Sequence, residues 1–288
     1  MQYVVLNNGI KMPILGLGTV SLPKEKMEFV IGSAYDAGYR LFDMAWHYYN
    51  EAEIGDAFKS LSIPRENLFL TNKLHTENLY WGGKLRKFDI PKRSVRRAFE
   101  NSCKKLRTDY LDLYLMHWPF RRYEHLWEEM IKLYEAGRIR SLGVCSFEPE
   151  HLEDLKQFGV KPAVNQFEIS PFTTRKNLIG YCQREGIQVE AFSAFGVGRY
   201  YEGVPDIMGN PVLKNIADGC HKTVAQVVLR WLIQQDVVAI PRSKNPERQK
   251  ENIDVFDFRL SEEEMKGIDA LNCDKFVYTN PRKTLISK

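Results

Sequence analysis

The chain has little of what would mark it as a secreted, membrane-bound or metal-dependent protein. Its five cysteines, Cys103, Cys145, Cys182, Cys220 and Cys273, are scattered and odd in number, and no two are spaced C-x-x-C. That argues against a disulfide framework and a cysteine-based zinc site, and it suits a reducing compartment. No apolar run approaches the roughly 20 residues of a membrane span; "VAQVVLRWLI" is interrupted by Arg230. "MQYVVLNNGI" lacks the charged and long apolar regions of a signal peptide, so a cytoplasmic location is expected. No H-x-H and no cluster of His, Asp and Glu ligands is visible, so no metal is expected and a metal-dependent barrel hydrolase is disfavoured. No G-x-G-x-x-G opens the first helix; "GLGTVSLP" holds one G-x-G, which weakens a doubly wound reading.

What is present is ordinary globular chemistry. With 288 residues, 44% hydrophobic and 27% charged, the chain buries enough apolar surface to fold without staples. The net charge is +4, and basic residues gather at Lys84, Arg86, Lys87, Lys92, Arg93, Arg96, Arg97, Lys104, Lys105 and Arg107. They fall on an amphipathic pattern without interleaved stacking aromatics, which reads as a solvated helix face and not a nucleic-acid site.

Apolar runs alternate with helical periodicity. "ILGLGTV", "RLFDMA", "NLFLTNKL", "YLDLYLMHW", "IRSLGVCSF", "PAVNQFEIS", "QVEAFSAFG" and "VVAIPRS" read as eight strands. Stretches such as "KEKMEFVIGSAYDAG", "PKRSVRRAFENSCKKLR", "HLWEEMIKLYEAG" and "TRKNLIGYCQREG" read as helices between them. Pro91 and Pro246 suit first helical turns, and Gly38, Gly137 and Gly186 suit helix ends. "LNNGIKMP" predicts an N-terminal hairpin with an Asn-Gly turn, outside the repeat. Near-continuous apolar strands are what a parallel sheet covered on both sides requires, so an α/β (β/α)8 barrel is expected as a single domain over residues 1–288. "NPVLKNIADGCHK" and "SEEEMKGIDALN" are extra helices before and after the last unit.

The reactive rim of such a barrel lies at the C-terminal ends of its strands. Asp43 ends an apolar run, as do Lys73, His117 and Arg242, and the first three end consecutive strands. Tyr48 and Tyr49 follow Asp43 in a short loop, where Asn50 is a plausible N-cap with Glu53 completing an N-x-x-E box. A free tyrosine with a pKa of about 10 exchanges protons poorly at neutral pH, and a nearby lysine favours its phenolate. A carboxylate would orient that lysine, and an imidazole would donate to an oxygen gaining charge. Together they form a carbonyl-polarising acid with no nucleophile or metal, which calls for a hydride donor such as a nicotinamide cofactor. In isolation, an Asp–Lys strand-end pair is as readily structural, and His117 beside Trp118 as readily a core histidine. Their occurrence on consecutive strand ends favours a site.

The residues resemble those of the aldo-keto reductases from "GIKMPILGLGT" to "VFDFRLSEEEM". The family pattern D-x-A-x-x-Y-x-N-E matches "DMAWHYYNE", "FLTNKL" carries the lysine and "YLMHWP" the histidine. The resemblance implies that Tyr48 is the general acid, Lys73 tunes it, Asp43 pairs with Lys73 and His117 orients the carbonyl. Tyr49 then packs or lines the pocket. "IPRSKNPERQKEN" is similar to the stretch that grips the adenosine end of NADP. It places Arg242, Ser243, Asn245 and Arg248 around the 2'-phosphate and Glu251 and Asn252 at the adenine. Two guanidiniums and small polar donors at a helix start suit phosphate chemistry in their own right. The family usually has lysine where Arg242 stands, so NADPH is expected with NADH as second choice. Gln166 matches the glutamine that holds the nicotinamide carboxamide, and Phe192 replaces the stacking tyrosine. Cys145 and Ser146 stand where the family commonly has serine and asparagine, and Ser146 reaches less far. Gly18, Thr19, Asp43, Ser193, Phe195 and Ala225 complete the implied cofactor set.

Pocket walls are expected from Val20, Trp46, His47, His75, Trp81, Trp118 and Phe120, beside Tyr48 and His117. Val20 and His75 stand where relatives often carry tryptophan. Only "PFRRYEH" separates His117 from the next helix, which implies an open site for small aldehydes, dicarbonyls or activated ketones. Arg121 and Arg122 would tolerate an anionic substrate. A small-molecule carbonyl is therefore the expected partner, with no nucleic acid or membrane, and the resemblance implies a monomer. A cofactor-binding regulatory or structural barrel is the alternative; the intact catalytic four speak against it.

Overall fold

The computed structural model describes residues 2–75, 93–120, 122–196 and 206–277. Strands β1 (Tyr3–Val5) and β2 (Lys11–Pro13) form the expected antiparallel hairpin. Its turn places Gly9 at φ 83°, a conformation that a Cβ would disfavour.

Eight parallel strands follow: β3 (Gly16–Gly18), β4 (Leu41–Asp43), β5 (Phe69–Leu74), β6 (Leu113–Met116), β7 (Leu142–Cys145), β8 (Val164–Glu168), β9 (Gln188–Phe192) and β10 (Val238–Ala239). Each pairs with its sequence neighbour, and a parallel bridge between Leu15 and Ala239 brings the last strand to the first. The Ala239 N–H donates to Ile14 O at 3.0 Å and the Gly18 N–H to Pro241 O at 3.0 Å, completing the circle. Gly18 permits this approach, because a Cβ there would lie 2.9 Å from Ile240 O. The (β/α)8 barrel expected from the alternation is present.

The ladders are shorter than the apolar runs. "ILGLGTV" yields three paired residues and "VVAIPRS" two. Apolar residues beyond the ladders, Ile14, Leu15, Val237 and Ile240, are buried as well, so apolarity outlasts backbone pairing.

The outer layer comprises α1 (Met27–Ala37), α2 (Glu51–Ser60), α3 (Arg93–Leu106), α4 (Tyr123–Glu135), α5 (Pro149–Leu155), α6 (Lys176–Arg184), α7 (Pro211–Cys220), α8 (Val224–Ile233), α9 (Pro246–Ile253) and α10 (Glu262–Asp269). Gly38 caps α1 in the left-handed region and Pro246 opens α9 at its first turn. Helices α7 and α10 are the two decorations. Of the basic residues around α3, Arg96 pairs with Glu100, Lys105 with Glu51 and Arg107 with Asp56, as a solvated face would. Lys84, Arg86, Lys87, Pro91 and Lys92 lie outside the described residues. No helix among the described residues is long and apolar enough to cross a membrane.

Candidate active site

Register sets the centre of the site. Gly18, Asp43 and Thr71 lie side by side on β3, β4 and β5, and Lys73 stands two residues further toward the C-terminal rim. The Lys73 side chain is fully buried. Its ammonium donates to both Asp43 oxygens, at 2.6 Å to Oδ1 and 2.7 Å to Oδ2, to Met44 O at 2.9 Å and to Tyr48 Oη at 3.4 Å. His117 follows β6, its ring edge-on to Tyr48 with centroids 6.2 Å apart. The three residues expected from their strand-end positions and the loop residue Tyr48 therefore meet at one place.

The loop carrying Tyr48 is built by the rest of its motif. Trp46–Tyr48 form a short 3-10 turn that ends at Tyr49, held at φ 54°. Asn50 stands at the N-cap position of α2, but its side chain does not cap the helix. Its amide instead donates to Thr19 O at 2.8 Å, and Glu53 pairs with Lys24. The expected N-x-x-E box is thus replaced by a tether from the loop to the end of β3. Glu51, also buried, accepts from Asn72 Nδ2 and Lys105 Nζ, each at 2.9 Å, anchoring the start of α2. Tyr49 is exposed at the rim beside Trp46 and His47, its ring too far out to join the four.

Burial and pairing oppose each other here. Burial is the largest single effect on the Lys73 ammonium and pushes it down, yet Asp43, by charge and hydrogen bond, together with Tyr48 and Cys145 outweighs it and holds the group charged above its ordinary range. Burial pushes the Tyr48 phenol up, and Lys73 only partly offsets that. The expectation that lysine would favour the phenolate is thus correct in sign, but desolvation is larger and Tyr48 keeps its proton. Burial also drives His117 well below its usual value, aided by Lys73, so its imidazole is neutral. Among the described residues no hydrogen-bond partner reaches its Nδ1.

Beneath this group lies a residue that the pattern of strand ends did not single out. Glu190, midway along β9, is fully buried. Gln166 Nε2 donates to Glu190 Oε2 at 2.7 Å and to Asp43 Oδ2 at 2.9 Å, linking two carboxyls through one amide. The signal was available: "QVEAF" carries a carboxylate inside an apolar run, where a barrel strand facing inward has no water to offer it.

The expected nicotinamide-end residues gather around Gln166. Cys145 pairs with Gln166 in register and Ser146 follows at φ 60°. Among the described residues the Gln166 side-chain carbonyl receives a long contact from the Cys145 thiol, at 3.8 Å, which leaves it able to accept from an incoming carboxamide. Phe192 ends β9 half-buried, with Ser193 and Phe195 just beyond it. Thr19 is buried, its N–H and hydroxyl both donating to Asp43 O.

The adenosine-end residues form a second group at the start of α9. Arg242 and Arg248 are exposed, and Arg242 Nη1 donates to Val20 O at 3.3 Å, linking this group to the loop after β3. Ser243 is buried in the turn. Asn245 caps α9, accepting from the N–H groups of Glu247 and Arg248 at 2.8 and 3.2 Å, so its carbonyl oxygen is spent on the helix. Thr223, which opens α8 beside Ala225, donates to Glu251 Oε1 at 2.8 Å, bringing Ala225, Glu251 and Asn252 to one edge. Two guanidiniums with Lys244 at a helix start suit a phosphate ester, so this donor set fits the group.

Among the expected pocket walls, His47 and His75 stack with centroids 4.6 Å apart, and Trp46 lies 6.1 Å from His75. His75 also meets His117 and Phe120 edge-on, and Trp118 lies parallel to His117. Val20 borders the loop after β3. Trp81 and Arg121 fall outside the described residues. No group of three His, Cys, Asp or Glu side chains among the described residues could hold a metal ion.

Comparison with known proteins agrees with this fold. The sequence model of the aldo/keto reductase family matches residues 14–273. The chain is 42% identical over 286 residues to glyoxal reductase of Bacillus subtilis, covering 98% of this chain and 97% of that one. It is 37% identical over 282 residues to methylglyoxal reductase DkgA of Escherichia coli O157:H7, covering 96% of each. A crystal structure of MGS-M4, an aldo-keto reductase from a deep-sea metagenome library of the Medee basin, superposes with a TM-score of 0.85 at 37% identity, covering 96% of this chain and 97% of that one. A barrel with these groups at its rim, matched along almost its whole length, places the chain in the aldo/keto reductase family of oxidoreductases.

Proposed function

We propose that this chain reduces the carbonyl of small aldehydes and ketones reversibly, with NADPH as hydride donor and Tyr48 as general acid. The observation that carries this reading is the buried Lys73 ammonium, bound to both oxygens of Asp43 and 3.4 Å from Tyr48 Oη. At that distance a unit charge contributes about 5 kcal/mol at an effective dielectric constant of about 20. This stabilisation falls on the phenolate that proton transfer leaves behind, not on the resting phenol, and so acts where charge develops.

Gln166, Ser146, Phe192 and Ser193 would hold the nicotinamide end, and Arg242, Ser243, Arg248 and Asn252 the adenosine phosphate end. When bound, the dinucleotide supplies the hydride. The protein's own part is to bind, orient and protonate. Tyr48 gives its proton to the carbonyl oxygen, which is a far stronger base than phenolate once it gains charge. His117, neutral, keeps an N–H to donate to the same oxygen and orient it. Asp43 keeps Lys73 charged throughout.

The short loop after β6 and the His47, His75 and Trp46 ring cluster favour compact, polar carbonyls. The names of the relatives, reductases of glyoxal and methylglyoxal, support small dicarbonyls. A single barrel domain acting as a cytoplasmic monomer is consistent with this chemistry.

Loss of reduced-nicotinamide absorbance in the presence of glyoxal, methylglyoxal and simple aldehydes tests the reading. Turnover with NADPH, and its collapse in Tyr48→Phe while cofactor binding persists, supports it. Cofactor binding without turnover on any carbonyl would overturn it in favour of a regulatory barrel and direct attention to Cys145 and Ser146.

A further inference from the structure

Glu190 plays no part in the mechanism above, yet its place in the barrel is constrained. Its carboxyl is fully buried, held by Gln166 Nε2 at 2.7 Å, and its Oε1 has no hydrogen-bond partner among the described residues. The same amide nitrogen reaches Asp43 Oδ2 at 2.9 Å, so whatever moves Glu190 is felt by the counter-ion of Lys73. We propose that Glu190, acting through Gln166, is a positioning residue for the Asp43–Lys73–Tyr48 relay, and that its proton sets the alkaline limit of carbonyl reduction. This rests on the assignment of Tyr48 as the acid.

Charge counting around the group carries the reasoning. Asp43 faces it from β4, Lys73 from β5 and Cys145 from β7. Gln166 of β8 is neutral, while β10 and β3 offer Val238, Ala239, Leu15 and Leu17. With Glu190 protonated, Lys73 balances one carboxylate, and the buried group is neutral before Tyr48 gives up its proton. With Glu190 ionised, one ammonium faces two carboxylates, and proton donation adds a phenolate to a site that is already negative. Burial, reinforced by Asp43, pushes the Glu190 carboxyl up to about 8, whereas the Cys145 thiol is pushed up to about 12, above the working range. Within this network, Glu190 is therefore the group that changes charge just above neutrality.

The test is the pH profile of kcat for NADPH-dependent reduction of methylglyoxal by wild type and Glu190→Gln. Glutamine keeps an oxygen for Gln166 and cannot ionise. Wild type should lose activity along a one-proton limb with a midpoint near pH 8, about tenfold for each pH unit beyond it. In Glu190→Gln that limb should move up by at least about one pH unit. A folded Glu190→Gln enzyme with the wild-type midpoint overturns the proposal, and so does a wild-type profile that is flat to about pH 9.5, even if the variant does not fold. If wild type reduces no carbonyl at all, the proposed function fails instead. The network is then read by carbon-13 NMR of glutamate-labelled protein, with Lys73→Met identifying the coupled resonance. A buried carboxyl that titrates near 8 and moves in that variant supports the network. Glutamate carboxyls that are all ionised by about pH 6 refute it.

Discussion

Replacing Asp43 by asparagine preserves shape and removes one charge, and the structure sets the size of the effect. Lys73 is fully buried and Asp43 is 2% exposed, so no water can take over the missing partner. In the variant, Lys73 keeps Met44 O at 2.9 Å, Tyr48 Oη at 3.4 Å and one amide oxygen of the new side chain, none of them charged. Breaking a buried pair by removing one partner costs about 3–5 kcal/mol. Unfolding entropy of about 2.1 cal/mol/K per residue gives about 0.6 kcal/mol/K for a chain of this length, hence a fall in Tm of about 5–8 °C. Calorimetric or circular-dichroism melts at pH 7 would measure it. Without its carboxylate, Lys73 is a buried base whose folded pKa drops below the unfolded value. The unfolded state then binds more protons, and the deficit should narrow as pH rises toward 10. The double variant Asp43→Asn/Lys73→Met removes the stranded charge and should melt above the single one. An Asp43→Asn protein melting within about 1 °C of wild type would refute the claim that this pair is a desolvated charge couple.

Tyr48→Phe should lose at least about two to three orders of magnitude in kcat while retaining cofactor affinity, measured by turnover and by quenching of protein fluorescence on NADPH addition. Arg242→Ala with Arg248→Ala should raise the apparent NADPH constant by about tenfold to a hundredfold per lost charged hydrogen bond and leave NADH nearly unchanged; equal losses for both would remove the phosphate assignment. Gly55 lies where a Cβ would meet Leu106 Cα at 2.8 Å, so Gly55→Ala should cost about 1–3 kcal/mol in urea unfolding by forcing α2 off α3. Glu190 binds its proton more tightly in the folded than in the unfolded chain. Its contribution to stability is complete below the unfolded value and is lost as pH rises toward about 8. The wild-type Tm should therefore fall more steeply than that of Glu190→Gln between about pH 5 and 9, and parallel curves would contradict the assigned burial.

Much of this protein is determined by its sequence alone. The alternation of apolar runs with amphipathic stretches is local, and a parallel barrel is the economical way to cover such strands on both faces. Asp43, Lys73 and His117 were visible because a charge at the end of an apolar run has no local reason to be there. Arg242 was visible for the same cause, and Arg248 as a second guanidinium at the helix start that follows it. The tertiary structure decided what distance and register control. Asn50 reads locally as a helix cap, but the end of β3 lies close enough for its amide to hold Thr19 instead. Tyr48 reads as a phenol lowered by lysine, but the depth at which the barrel holds it makes desolvation the larger effect. Glu190 sits 24 residues from Gln166, and Gln166 sits 123 from Asp43. Only closure of the sheet, from β3 round to β10, brings these three to one amide, because side chains on separate strands share a layer through register and curvature that no local pattern encodes.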